Sequence, residues 1–335
     1  MKLRALNIAF SILIAALFLW LAFRNINVSE LWTQILTITY YWLPFFVITM
    51  VFSHFLRAER WRLLMPDKFQ NISRSTLFAG VMLGYVVNNI VPRLGEISRP
   101  VYVAKKGKVS TGNLVGTIVA ERLFDLFIML SLILFTVLIL VSDVTQLQQV
   151  FGIENWTMLH YLLIPAIFVA IILGIWLFYK LIIWADQRID IQNPVLSKII
   201  SSGISFGEGM ISLKKVKNWP LFLVLTAGIW IGYIIMTYLP FYMMNMQQVF
   251  GLTFIDAVVL TVVSTIGVTI PTPAAIGSYH LFIQQTLWLL YDVPVTTALT
   301  YATVVHAANV LFVFIIGPIA LWWDKYETLT GQQSK

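Results

Sequence analysis

The fold class this sequence predicts is an all-α polytopic membrane protein, with about six full spans and two re-entrant broken hairpins, some eight membrane segments arranged as an inverted repeat. Three observations predict it. Of 335 residues, 59% are hydrophobic and 11% charged, less than half the roughly 25% charged residues of a soluble domain, and mean hydropathy is +0.85. Apolar runs long enough to cross a bilayer, about 20 residues each, recur along the chain. Lysines and arginines collect in some connections and are nearly absent from others, as the positive-inside rule requires. This pattern excludes a soluble enzyme, a disordered chain and a DNA-binding domain. It also excludes an outer-membrane barrel, whose strands are short and alternate polar with apolar. The excess of 22 Lys and Arg over 15 Asp and Glu therefore reads as a topology signal and not as a nucleic-acid surface. Cys is absent, so there is no disulfide, thiol nucleophile or Cys-ligated metal.

Residues 1–335 read as one integral membrane domain. The first helix runs from Ala5 to Phe23, and no small-residue cleavage site follows it, so it is expected to be retained. The charge-free stretch Leu31 to Leu56 predicts the second span. Ser75 to Pro92 is apolar but carries Asn88, Asn89 and Pro92. A helix over Leu126 to Ser142 extends back through Glu121, Arg122 and Asp125. Further spans are Trp156 to Tyr179, Trp219 to Met243 and Thr296 to Trp323. Ala257 to Tyr291 is apolar yet interrupted at Pro271, Pro273 and Gly277. Residues 186–218, with apolar positions at Val195, Ile199, Ile200, Ile204 and Ile211, predict an amphipathic cytoplasmic linker on the membrane surface. That linker is too short for a catalytic domain, so chemistry is expected in or at the membrane.

Basic residues cluster at Lys2 and Arg4, from Arg57 to Arg74, from Arg93 to Lys108 and from Lys180 to Lys217. The second and third clusters flank Ser75–Pro92, so that segment is expected to enter from the cytoplasm and return. Counting onward places both termini in the cytoplasm of an inner-membrane protein and makes 257–291 a hairpin from the outside. The halves, about 1–150 and 151–335, then read as inverted repeats. Such repeats place a site near the midplane, between paired broken segments. The alternative is an eight-span bundle with two ordinary loops.

The densest polar cluster is Asn88, Asn89, Pro92, Arg93, Gly95, Glu96 and Arg99. Glu121 and Asp125 share a helix face further on, with Arg122 beside them. Charges in a membrane cost about 2.5–3.5 kcal/mol each on insertion scales, so they pair and mark pathways. The expected group joins Arg93, Arg99 and Arg122 to Glu96, Glu121 and Asp125, and arginine suits bidentate phosphate binding. The alternative is a salt-bridge network at the cytoplasmic rim. The second broken segment offers Thr272, Ser278 and His280, with His306 in the last helix read chiefly as a packing residue. His54 and His160 read as interfacial, and Gly112 to Gly116 as a weak close-packing signal. No metal spacing, ATP-binding loop or nucleophile elbow is present, so no cofactor is expected.

These motifs resemble the lysylphosphatidylglycerol synthase transmembrane family, also called flippase-like domain proteins. The resemblance rests on Arg60-Trp61-Arg62; on Asn89, Pro92, Arg93, Gly95, Glu96 and Arg99; on Glu121, Arg122 and Asp125; and on Pro271, Pro273, Ile276 and Gly277. It implies a lipid transporter of the flippase type, with membrane lipids as partners; the alternatives are a membrane-embedded enzyme or enzyme subunit acting on a polyprenyl-phosphate-linked sugar or a phospholipid, and a scaffold for a separate lipid synthase. In the bacterial multiple peptide resistance factor such a domain moves aminoacylated phospholipid outward, and a fused cytosolic domain makes the lipid. Only 12 residues follow Trp323 here, so no synthase activity is implied. A separate lipid synthase or glycosyltransferase is the further partner implied, and an oligomer is compatible with the pattern. The candidate substrate contacts are Asn89, Arg93, Glu96, Arg99, Glu121, Arg122, Asp125, Thr272, Ser278, His280 and His306, with hairpin breaks at Pro92, Gly95, Pro271, Pro273 and Gly277. Two features depart from the family pattern. Ala274 and Ala275, with His280 after Gly277, stand where two glycines and a following acid are usual. His306 stands where an arginine is common.

Overall fold

In a computed structural model, residues 2–24, 26–65, 71–109, 111–140 and 216–333 are described, with isolated positions between 157 and 213. The span expected at Trp156–Tyr179 and most of the linker 186–218 lie outside the described residues. The described residues are helical, with no strand among them.

Helix α1 (Lys2–Phe23) is followed by α2 (Val28–Thr37), bent from it by 86°. Asn27 fixes the corner by accepting hydrogen bonds from the Ser29 and Glu30 amides at 3.1 and 3.3 Å, a side-chain cap for otherwise orphaned donors. α2 buries Leu31 and leaves Val28, Trp32 and Leu36 exposed. The single span expected over Leu31–Leu56 is thus divided. Ile38 is extended, a 3-10 turn covers Tyr40–Trp42, and α3 starts afresh at Leu43 with Pro44 in its first turn. Proline is pre-set for that position, where its missing N–H has no intrahelical partner to lose. α3 (Leu43–Leu64) then continues past Leu56 through Arg57 and Arg60, both buried. Those two arginines are therefore not part of a basic loop.

α4 (Arg74–Ile90) and α5 (Gly95–Gly107) form an antiparallel hairpin. Gly80 lies against Val103 and Gly84 against Arg99, while the Asn88 side-chain oxygen accepts the Gly95 N–H at 2.6 Å. A Cβ on Gly95 would collide with the Gly84 carbonyl oxygen and the Asn88 side chain. The turn between the two helices holds Pro92 and a left-handed Arg93 at φ 65°. α6 (Thr111–Leu140) begins well before the expected Leu126 and carries Glu121 and Asp125 one turn apart. Gly112 is exposed, and among the described residues Gly116 has no neighbour where a Cβ would stand.

α7 (Trp219–Met243) has the expected bounds and packs along α3. Gly232 makes room there for the Ser53 hydroxyl. After a short α8 (Met246–Val249), α9 (Phe254–Thr269) and α10 (Ser278–Tyr291) form a second hairpin around residues 270–277, and α11 (Val295–Gln333) closes the described chain. Buried side chains from α3, α4, α7, α9, α10 and α11 share one core, centred on residues such as Phe46, Met82, Phe241, Ile283 and Tyr301. α11 also reaches the open end of the first hairpin. Buried Asp324 accepts hydrogen bonds from Thr76 and Tyr102, each at 2.5 Å, and pairs with Lys106 at 3.1 Å.

Among the described residues, three helical stretches are long and apolar enough to cross a membrane: Tyr40–Leu64, Trp219–Met243 and Val295–Thr330; α1 and α2 add a fourth if the bent pair counts as one span. The four hairpin helices have 17, 13, 16 and 14 residues, each short of the roughly 20 needed to span alone. Gly95→Ala is expected to cost about 1–3 kcal/mol or more, because the obstructing atoms include backbone. A lowered unfolding temperature in detergent would show it, and an unchanged one would contradict the close approach of α4 and α5.

Candidate functional site

The site is built around one carboxylate. Glu121 on α6 is fully buried, and three guanidiniums converge on it. Arg57 Nε donates to it at 2.6 Å, Arg99 Nη2 lies 3.0 Å away and Arg60 Nη2 3.5 Å away. Asp125, one helical turn further, takes Arg57 Nη2 and Arg60 Nη1, each at 2.7 Å. Arg57 Nη1 also donates to the Tyr85 and Tyr233 hydroxyls, each at 2.8 Å. Arg99 lies over the Trp61 ring at 4.0 Å, and the Trp61 indole N–H is held by Thr117 at 2.8 Å. Arg60 stands 5.8 Å from the Phe222 ring. Aromatic faces thus cover the guanidinium planes while the carboxylates take the edges.

Among the described residues, Arg57, Arg60 and Arg99 outnumber Glu121 and Asp125, so the network they form carries one positive charge in surplus. Arg122 and Glu96 form a separate pair at 3.4 Å, each side chain about two-fifths exposed (44% and 43%). Between the network and this pair lies a cavity of about 20 Å³, enough for one water molecule. It is lined by Arg57, Tyr85, Asn88, Glu96, Arg99 and Arg122, among others. Arg99 Nε has no hydrogen-bond partner among the described residues.

The structure therefore brings Arg99, Glu121 and Asp125 together and places Arg122 and Glu96 at the rim of the same cavity. Arg93 stands apart: it is exposed at the hairpin tip and donates to the Thr269 carbonyl at 3.4 Å. That carbonyl belongs to the last turn of α9, where orphaned acceptors and the helix dipole favour a cation. The tips of the two hairpins meet through this bond. Asn89 does not line the cavity; its neighbour Asn88 does.

The second break forms its own cluster. The Thr272 and Ser278 hydroxyls lie 3.1 Å apart and both residues are buried. His280 Nδ1 accepts the Gly277 N–H at 3.4 Å, and His306 Nε2 donates to the Ala274 carbonyl at 2.7 Å. The two imidazole centroids are 4.8 Å apart. His306 thus braces the break from the last helix. Ala274 and Ala275 both have left-handed backbones, at φ 50° and 58°, a region that costs an L-residue about 1–2 kcal/mol and glycine almost nothing. Gly277, at φ 86°, is crowded by Ala15, Phe18 and Leu19 of α1.

Sequence reading missed Arg57 and Arg60, which the count of basic residues assigned to a loop. Their spacing with Trp61 places all three toward one helix face, and that was the available signal. It also misplaced His54, which is not interfacial but 3% exposed, its ring tilted against Tyr85 with centroids 4.2 Å apart. His160 lies outside the described residues.

The family model described as "Lysylphosphatidylglycerol synthase TM region" matches residues 8–317. The chain belongs to this family. A UPF0104 membrane protein of Methanocaldococcus jannaschii is 24% identical over 295 residues, covering 84% of each chain. No solved structure matches. In this lysylphosphatidylglycerol synthase TM region, the matched residues include the whole arginine–carboxylate network and both breaks.

Glu121→Gln removes a charge that three buried guanidiniums share, and breaking a buried ion pair from one side costs about 3–5 kcal/mol. A large fall in unfolding temperature in detergent is expected; an unchanged one would contradict the network. Ala274→Gly and Ala275→Gly are each expected to raise stability, by about 1 kcal/mol, because they relieve left-handed alanines. Loss of stability in both would contradict the backbone assigned to the break.

Proposed function

We propose that this protein moves a lipid with a phosphate-bearing head group between membrane leaflets, through a polar path between two re-entrant hairpins. The observation that carries the proposal is the surplus positive charge of the buried network beside a polar cavity. A membrane protein tolerates unneutralised buried charge where a ligand or a pathway uses it. Arg99 and Arg122 hold the phosphate at the cavity, while Arg93, at the hairpin tips, is the next cation along the path. Glu96, Glu121 and Asp125 keep the arginines apart and offset all but one of the positive charges around the cavity when the site is empty. Thr272, Ser278, His280 and His306 line the outer part of the path, with acyl tails remaining in lipid.

In this reading the chain is a transporter and not an enzyme, and a gradient, the membrane potential or downhill lipid flow drives it. It lies in the cytoplasmic membrane with both termini inside. The α4–α5 hairpin enters from the cytoplasm and α9–α10 from outside, so the halves 1–150 and 151–335 form an inverted repeat, with 186–218 as a cytoplasmic linker. The half-length hairpin helices and the meeting of their tips support this arrangement, since irregular backbone at membrane depth must be buried in protein or line a wet cavity. A cavity of about 20 Å³ holds no head group, so the described state is closed. Transport then requires α5 to move relative to α6. A separate lipid synthase or glycosyltransferase is the partner that would supply or consume the lipid.

The deciding experiment is translocation in proteoliposomes with neutral, anionic, aminoacylated and polyprenyl-phosphate lipids. Movement of a phosphate-bearing class, reduced about tenfold or more by the partly exposed substitution Arg122→Gln, is expected. Folded protein that moves no lipid would sink the proposal. With no native cysteine, single cysteines test the orientation: position 275 is expected to label from outside and position 94 from inside, and the reverse result would overturn the inverted repeat.

A further inference from the structure

His54 is a titratable group that the transport path above does not use. It sits on α3 one turn before Arg57, on the side that also carries Arg57 and Trp61. It is 3% exposed, and neither ring nitrogen has a hydrogen-bond partner among the described residues. A buried imidazole that bonds to nothing is uncommon, because an unmade hydrogen bond there costs about 1–3 kcal/mol. Its ring lies against Tyr85, whose hydroxyl binds Arg57 and whose side chain lines the cavity. His54 is therefore separated from the cavity by one aromatic ring.

The groups facing His54 are Arg57 on its own helix, Tyr85 on α4 and Arg99 on α5, with Glu121 of α6 and Tyr233 of α7 beyond them. Both nearest charges are positive, and both carboxylates of the network are already engaged by arginines. In the empty site a proton on His54 would add a second positive charge to a cluster that already has one in excess. An anion in the cavity changes that balance. A phosphodiester, with one negative charge, cancels the surplus. A phosphate monoester, with nearly two, leaves the cluster one positive charge short, and His54 is the neutral base beside it with a free lone pair.

We infer that His54 is a proton-binding site linked to the cavity, so that a phosphate monoester is taken up together with one proton, while a phosphodiester enters without one. The proton comes from water on the side from which the anion enters, occupies the free ring nitrogen, and leaves when the anion leaves. The inference rests on the reading of the cavity as a phosphate-lipid site, and it supplies that site with a coupling ion and a preferred head-group charge.

The test uses the purified full chain in detergent, weakly buffered at about pH 8, where a free phosphate monoester is a dianion. Dihexanoyl phosphatidic acid supplies the monoester and dihexanoyl phosphatidylglycerol the diester. Binding is followed by calorimetry, and proton uptake by an indicator dye. Expected results are about one proton taken up per monoester bound, none per diester, and binding without uptake in His54→Gln. The chain has 4 histidines, so carbon-13 labelling of histidine reads the same event in unaltered protein: one imidazole signal moves to its protonated position when monoester binds. That signal keeps the test decisive if His54→Gln fails to fold.

Monoester binding with no proton taken up, uptake unchanged in His54→Gln, or equal uptake with the diester would overturn the inference and leave the lipid site standing. No binding of either lipid by folded protein would overturn the lipid site, and the inference with it. Inorganic phosphate as a third ligand separates the sources of the anion. Uptake with lipid alone assigns the lipid, and uptake with both assigns the phosphate group; either supports a proton site at His54.

Discussion

One carboxylate organises the interior. Glu121 holds guanidiniums from two other elements, α3 and α5, in a buried setting with little room for water. Attraction between charges rises steeply as the dielectric falls, and so does the penalty for leaving one alone. The position of α5 against α6, and of α3 against both, follows from that constraint. Asp125, Tyr85 and Tyr233 complete the donor accounting for Arg57, which is why a helix expected to end at Leu56 runs on to Leu64.

The hairpins meet a different constraint, which is close approach. In the first, glycines at 80, 84 and 95 let two helices touch backbone to backbone, and the tip is turned by a left-handed arginine. The second has alanines where its turn asks for positive φ, and it is held from outside by α1 and by His306. External bracing offsets the local strain, so a turn with alanines at positive φ is held in place. His306, far along the chain, is the residue that reaches the Ala274 carbonyl.

Much of the architecture was legible because it is written in long-range composition: apolar runs, Pro and Gly breaks, and the bounds of α7. Glu121, Asp125 and Arg99 were legible because charges in apolar surroundings need a reason. Arg57 and Arg60 were not, because a basic residue at the end of an apolar run looks the same whether it faces water or a buried carboxylate from another helix. His54 failed for the same reason: it occupies a helix end in sequence but the middle of a packed interface in space. The division of Leu31–Leu56 goes with Pro44, a local signal inside a stretch whose uniform hydropathy masked it.

Asp324 has a mechanical consequence. It fastens the last helix to both arms of the first hairpin, through Thr76 on α4 and through Tyr102 and Lys106 on α5. A tug or twist applied near the C-terminal end of α11 is thereby delivered to the hairpin that presents Arg99 to the cavity. Any protein that docks on that end holds a lever on the arginine network without coming near it.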